Sequence, residues 1–190
     1  MKIIFATHNL NKLKEVNSLL PSHITLTSLD ELGLKDEILE TADTIAGNAI
    51  QKVEYITARY DMPVIADDTG LLVHALNNEP GVHTARYAGP DRNNEKNIDL
   101  LLQNLQGLDD RSARFTTVFA LSIDGCQHVF EGICEGTILE SRRGKLGFGY
   151  DSIFKPDDSN LSFGEMTMVE KNTYSHRAKA LSKLVEYLSI

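Results

Sequence analysis

The chain opens on KIIFA at residues 2–6, an apolar run rich in isoleucine, and passes into LNKLKEVNSLL, where Leu10, Leu13, Val16, Leu19 and Leu20 recur three and four positions apart. A strand entering a helix through the turn Thr7-His8-Asn9 is predicted. The helical period returns over residues 44–60 at Ile45, Ala49, Val53, Ile56 and Tyr60, with Thr44 as N-cap, and MPVIADDTG then reads as a buried strand ending in two carboxylates. Residues 77–93 carry two of the five prolines and several asparagine and glycine turn signals, so a long exposed loop is expected before a helix bearing Ile98, Leu101, Leu102 and Leu105.

From Ala113 to about Leu139 the texture changes to alternation, as in RFTTVFALSI and HVFEGICEGTIL, which predicts two or three antiparallel strands and a second lobe. A glycine-rich turn at 144–149, a polar stretch to Lys171 and a helix with Ala178, Leu181, Leu184, Val185 and Leu188 on one face complete the chain. With no repeat, low-complexity tract or linker, the 190 residues read as one domain over 1–190.

Composition narrows the class. Hydrophobic residues make up 42% and charged residues 24%, enough apolar content for a core and too much for disorder. No apolar run approaches the ~20 residues that cross a bilayer, and the N-terminal stretch lacks a cleavable hydrophobic region, which argues for a cytoplasmic protein with no membrane partner. Cys126 and Cys134 form no metal or disulfide pattern and read as core thiols in a reducing compartment. Nineteen Lys and Arg against 27 Asp and Glu leave a net charge of −8, the wrong sign for coating nucleic acid, so an anionic ligand must be met locally.

Four constellations carry candidate chemistry. THNLNK at 7–12 joins a strand end to a helix start, where backbone N–H groups and the helix dipole can hold an anion; Lys12 lies one turn in, within reach of a terminal phosphate, and the plainer alternative is a capped helix with a solvated lysine. IADDTG at 65–70 sets Asp67 and Asp68 on opposite faces of a strand, so one of them faces the site; carboxylates there suit magnesium or can deprotonate water, and an Asx-type turn is the alternative. Glu40 is a candidate second ligand, with Glu37 not distinguished from it by spacing. GKLGFGYDSIF at 144–154 matches neither the dinucleotide nor the Walker pattern, but Phe148 and Tyr150 beside flexible glycines can stack on a base while Asp151 accepts a hydrogen bond; a hairpin turn with two partly buried aromatics is the alternative. In EKNTYSHRAKAL at 170–181, Lys171, His176 and Arg177 gather near a helix start, with Ser175 as a cap. Cations there oppose the dipole, which points to a compensating electron-rich ligand or else to a solvated basic helix end.

Together these residues resemble the inosine triphosphate pyrophosphatase family, the noncanonical purine nucleoside triphosphate pyrophosphatases that hydrolyse dITP, ITP and XTP. FATHNLNKLKE, VIADDTGL, GVHTARYAG, GFGYDSIF and EKNTYSHRAKAL match the family's motifs in order over nearly the whole chain. The resemblance implies an elongated, two-lobed α/β fold with a long mixed central sheet flanked by helices and a substrate cleft between the lobes. It also implies a magnesium cofactor and usually a homodimer. By position it implies that Thr7, His8, Asn9, Leu10, Asn11 and Lys12 hold the triphosphate and that Asp68 is the proton acceptor, sharing the metal with Glu40. Thr69 would touch substrate, Phe148, Gly149, Tyr150 and Asp151 would frame base and sugar, and Lys171, His176 and Arg177 would complete the base pocket. Arg86 matches a family arginine of unassigned role. His8, Gly47 and Thr69 depart from the residues commonest in the family.

Hydrolysis of noncanonical purine triphosphates to monophosphate and pyrophosphate is the function expected. A related pyrophosphatase for modified pyrimidine nucleotides shares the phosphate chemistry but not the EKN–SHR motif. A nucleotide-sensing or RNA-binding module without turnover is opposed by the net charge and by carboxylates that would face phosphate without a metal.

Overall fold

The computed structural model describes residues 1–189. The elements run β1 (Lys2–Phe5), α1 (Leu10–Asn17), β2 (Thr25–Ser28), α2 (Ile45–Thr57), β3 (Val64–Val73), β4 (Glu79–Gly81), α3 (Asn94–Asn104), β5 (Ser112–Ile123), β6 (Cys126–Ile138), β7 (Phe154–Pro156), α4 (Met168–Tyr174) and α5 (His176–Leu188). α1 stops before Leu19 and Leu20, because Pro21 disfavours a helical residue ahead of it.

The strands form one mixed sheet in the order β2-β1-β3-β5-β6-β7, with β4 paired to β3. β1 lies parallel to both β2 and β3; the crossover through α1 runs from β1 out to β2, and the one through α2 runs from β2 back past β1 to β3, in the opposite direction. Right-handed crossovers running in opposite directions place their helices on opposite faces of the sheet. The core follows that division with the period of two of a strand. Ile3, Phe5 and Ile65 pack with Val16 of α1 and Ala180, Leu181 and Leu184 of α5. Ile4, Ala6, Val64 and Ala66 pack with Ala49, Val53 and Ile56 of α2.

Two compact units divide the chain, the first made of Met1–Asp68, Thr117–Gly132 and Arg177 onward, the second of Thr69–Thr116 and Ile133–His176. The first holds the two clusters just described. The second has its own core, in which Leu71 and Val73 of β3, Ile98 and Leu101 of α3, Phe115 of β5 and Phe154 of β7 are all buried, with Phe115 edge-on to Phe154 at 4.7 Å.

Four expectations change. The strand carrying the two aspartates does not end at them but continues to Val73, since LLV after the glycine extends its apolar pattern. The alternating stretch forms two long strands joined by Asp124-Gly125, both with positive φ (50° and 76°) as a primed two-residue hairpin turn requires, and the unit division cuts β5 and β6, so the hairpin is not a lobe by itself. The 77–93 segment contains β4 and a short 3-10 turn over Thr84–Arg86. Cys134 is buried, but Cys126, just after the hairpin turn, is exposed and is not a core thiol. No described helix is long and apolar enough to cross a membrane.

Candidate active site

β3 decides which carboxylate meets which cation. Asp67 continues the row of Ile65 toward α1 and α5, where Lys12 Nζ lies 3.1 Å from Oδ1 and Arg177 Nε 3.2 Å from Oδ2. Arg177 also ion-pairs through Nη1 with Glu15 of α1, a residue only 7% exposed. Asp68 continues the row of Val64 and Ala66 toward α2. There Asn48 Nδ2 donates to Asp68 Oδ2 at 3.2 Å, and Lys52 Nζ lies 3.5 Å from Oδ1. Lys52 reaches Glu40 Oε1 at 2.7 Å as well and donates to the Asp67 carbonyl at 2.6 Å, so one buried ammonium joins both carboxylates proposed for a metal.

The two aspartates are driven apart in acidity. Burial pulls Asp67 up, but Lys12, Arg177 and Lys52 together outweigh it and hold the carboxyl at about 2. For Asp68 burial prevails: Lys52 and Lys12 oppose it, Glu40 and Asp67 add to it, and the carboxyl is raised. Lys12 is pushed down by burial, against the attraction of Asp67 and with the repulsion of Lys52 and Arg177. Asp67, depressed from 3.8 to about 2, stabilises the fold fully above pH 3.8 and loses that contribution as pH falls through 2. The unfolding free energy in urea is therefore expected to drop on the order of 2 kcal/mol more between those pH values than in Asp67→Asn. Equal pH slopes in the two proteins would contradict the pairing.

At the entrance of α1, Asn9 is the N-cap and its Oδ1 accepts from Asn11 and Lys12 N–H at 3.0 and 3.2 Å, while Asn9 N–H donates to Thr7 Oγ1. The helix is thus capped by its own residues. Lys12 is nonetheless half-buried and paired with Asp67, and Leu10, which the apolar period placed toward the core, is 68% exposed.

In the second unit, the glycine loop builds a different pair. Gly147 has φ +74°, and a Cβ there would come within 2.0 Å of Asp151 Oδ2, so glycine is what lets the loop close over that carboxylate. Asp151 Oδ2 then accepts from Phe148 N–H at 2.8 Å and from Lys171 Nζ at 2.7 Å, and the same ammonium lies 5.1 Å from the centre of the half-buried Phe148 ring. Gly149 adjoins that ring with φ +60°. Tyr150, expected as a stacking residue, is instead a core side chain whose hydroxyl donates to the Thr84 carbonyl at 2.9 Å. His176 is buried with its ring 4.7 Å from Phe115 and nearly parallel to it.

The structure separates the three cations that the sequence gathers near the last helix. Lys171 is compensated by Asp151 in the second unit and Arg177 by Glu15 and Asp67 in the first. Each of these two cations therefore has a protein carboxylate beside it. Ser175 caps the end of α4. Thr69 sits half-buried next to Asp68 on β3. Sequence reasoning missed Glu15, Asn48 and Lys52. The signal for the last two was available: Asn48 and Lys52 are one turn apart on the face of α2 that also carries Ala49, Val53 and Ile56, and a polar pair on a buried face needs partners.

A family model for the Ham1 family matches residues 3–187. The chain belongs to the Ham1 family. Among curated relatives it is 52% identical over 189 residues, covering both chains in full, to the dITP/XTP pyrophosphatase of Christiangramia forsetii. It is also 44% identical to that of Bacillus subtilis, over 97% of this chain and 96% of the relative. The solved Ham1 protein of Coxiella burnetii superposes with a TM-score of 0.91 at 36% identity, covering 100% of this chain and 98% of the other. At Gly47 the packing leaves no room for a side chain: a Cβ there would come within 2.6 Å of Ala42 Cβ and 2.9 Å of the capping Thr44 Oγ1.

Proposed function

We propose that this protein hydrolyses dITP, ITP and XTP to the nucleoside monophosphate and pyrophosphate, with magnesium, in the cytoplasm and as a homodimer. The observation that carries the reading is the set of half-buried Lys12 and buried Lys52 paired with Asp67, Asp68 and Glu40, on a chain 52% identical to a dITP/XTP pyrophosphatase. Buried cations facing carboxylates suit a ligand that is itself a polyanion with a divalent ion, because each then exchanges one charged partner for another.

The donor set fits magnesium. Asp68 and Glu40 offer hard oxygens, already close enough to share one ammonium. Bound there, the metal would neutralise charge on the phosphates. The protein's own groups do the rest. Lys12, with Thr7, Asn9 and the turn between them, holds the outer phosphates. Asp68, its basicity raised by burial, takes the proton of a water as oxygen bonds to the α-phosphorus and the α–β bridging bond breaks. Asn48 and Lys52 fix the Asp68 carboxylate in place. In the second unit, Phe148 offers a ring face to the purine and Lys171, which can only donate, answers the 6-oxygen of hypoxanthine or xanthine. Adenine presents an amino donor at that edge.

Incubating the protein with dITP and magnesium and resolving the phosphorus products is expected to give dIMP and pyrophosphate, none of it after chelation of the metal. kcat/KM for ATP should lie at least about a hundredfold lower, since a buried donor facing a donor leaves both unpaired. dIDP with orthophosphate would refute the α-phosphorus assignment, and binding without products would favour a nucleotide-sensing module.

A further inference from the structure

His8 stands in the turn between β1 and α1, and its side chain bridges two points of the segment that leads to Glu40. Nδ1 lies 3.4 Å from Asp30 Oδ1 and Nε2 lies 3.1 Å from the Asp36 carbonyl oxygen. The partners are a carboxylate oxygen and a backbone carbonyl oxygen, both acceptors. Both contacts are therefore hydrogen bonds together only when the ring carries two N–H groups, as imidazolium, and a neutral ring keeps one. The charged group facing the ring is the Asp30 carboxylate, on the segment after β2; Lys12, the nearest cation along its own helix, is turned to Asp67.

Asp36 lies four residues before Glu40. The far side of that segment is held from α2, where Thr41 N–H donates to Gln51 Oε1 and Ala42 N–H to Asn48 Oδ1, both at 3.0 Å. On the near side the chain turns tightly, Gly33 N–H bonding to Asp30 O and Leu34 N–H to Leu29 O. His8 supplies the tie between them.

We propose that His8 is a positioning residue: through Asp30 and Asp36 its imidazolium fastens the 30–36 segment to the turn carrying Thr7 and Asn9, and so sets where Glu40 stands beside Lys52. Its catalytic consequence rests on the reading of Glu40 as a metal-holding carboxylate; the tie itself does not. A ring with two N–H groups holds both acceptors and a ring with one N–H holds a single acceptor, so the tie tightens on acidification.

Amide hydrogen exchange of peptides covering residues 30–42 tests this on the free protein, corrected for intrinsic rates, at about pH 6 and about pH 8. In the unaltered chain, protection is expected to be about three- to tenfold higher at the lower pH, the range one net hydrogen bond supplies. His8→Ala should be weakly protected at both, and His8→Gln, which keeps a single donor arm, intermediate and insensitive to pH. Unchanged protection of the α5 peptides shows that the variants are folded. Protection in His8→Ala equal to the unaltered chain, or the same pH dependence in both, overturns the proposal. As a second readout, the magnesium concentration giving half-maximal dITP turnover should rise at least about threefold in His8→Ala at about pH 6, and no rise overturns the link to Glu40. Absence of dITP turnover in the unaltered chain would refute the proposed function, while the exchange result decides the tie independently.

Discussion

Asp68→Asn is expected to lower kcat for dITP by about 10²–10⁴-fold, the usual cost of losing a general base, and more if the lost charge also weakens metal binding. Asparagine keeps the volume and an oxygen for Asn48 Nδ2, now at 3.2 Å from Asp68 Oδ2, so the local hydrogen bond survives. It also removes a carboxylate whose charged form burial disfavours, so the fold should not suffer. The pH profile adds a sign. A base is inactive when protonated, and because Asp68 is raised, the acid limb of kcat/KM should fall away at higher pH than for an ordinary carboxylate and should vanish in the variant. An unchanged kcat in Asp68→Asn, with circular dichroism confirming the fold, would remove Asp68 from the chemistry.

Arg177→Ala is expected to cost about 3–5 kcal/mol of stability, read from urea unfolding at neutral pH, because it takes a cation from two buried carboxylates at once. Arg177 is 2% exposed, and its guanidinium lies between Glu15 and Asp67. Arg177→Lys should recover only part, since an ammonium lacks the planar fork that meets two carboxylates in different directions. Glu15→Gln with Arg177→Met, which removes charge on both sides, should cost less than the two single changes added, leaving a coupling of about 0.5–3 kcal/mol. A loss below about 1 kcal/mol in Arg177→Ala would mean the triad is not held as described. The same experiment separates this account from a base-reading role: a specificity residue would alter the ratio of dITP to ATP turnover with little change in unfolding.

Much of the fold was legible because it rests on local periodicity. The apolar spacing along α1 and α2, the capping Thr44, and the alternation from Ala113 to about Leu139 encode two helices and a pair of strands, and these elements formed. Errors came where an element's limit depends on what lies beside it. The pair of aspartates looked like a strand end because carboxylates are rare inside buried strands, yet β3 runs on through them. Three cations from α1, α2 and α5 neutralise those charges, and no one-dimensional pattern reports that.

The site divides along the same line. That Asp67 and Asp68 face opposite ways follows from the strand period alone, as does the need for a glycine where the loop at 147 turns back. Packing decided how the two differ in acidity: Asp67 has two cations beside it and is driven down, while Asp68 has one beside it and is left raised by burial. The cluster Lys171, His176, Arg177 shows the limit most clearly. Sequence by itself determined that cations gather ahead of the last helix, because adjacency in the chain is a sequence property. Only the tertiary structure decided that Lys171 answers Asp151 and Arg177 answers Glu15 and Asp67, because the partners lie 20, 162 and 110 residues away and charge pairing acts over distance in space.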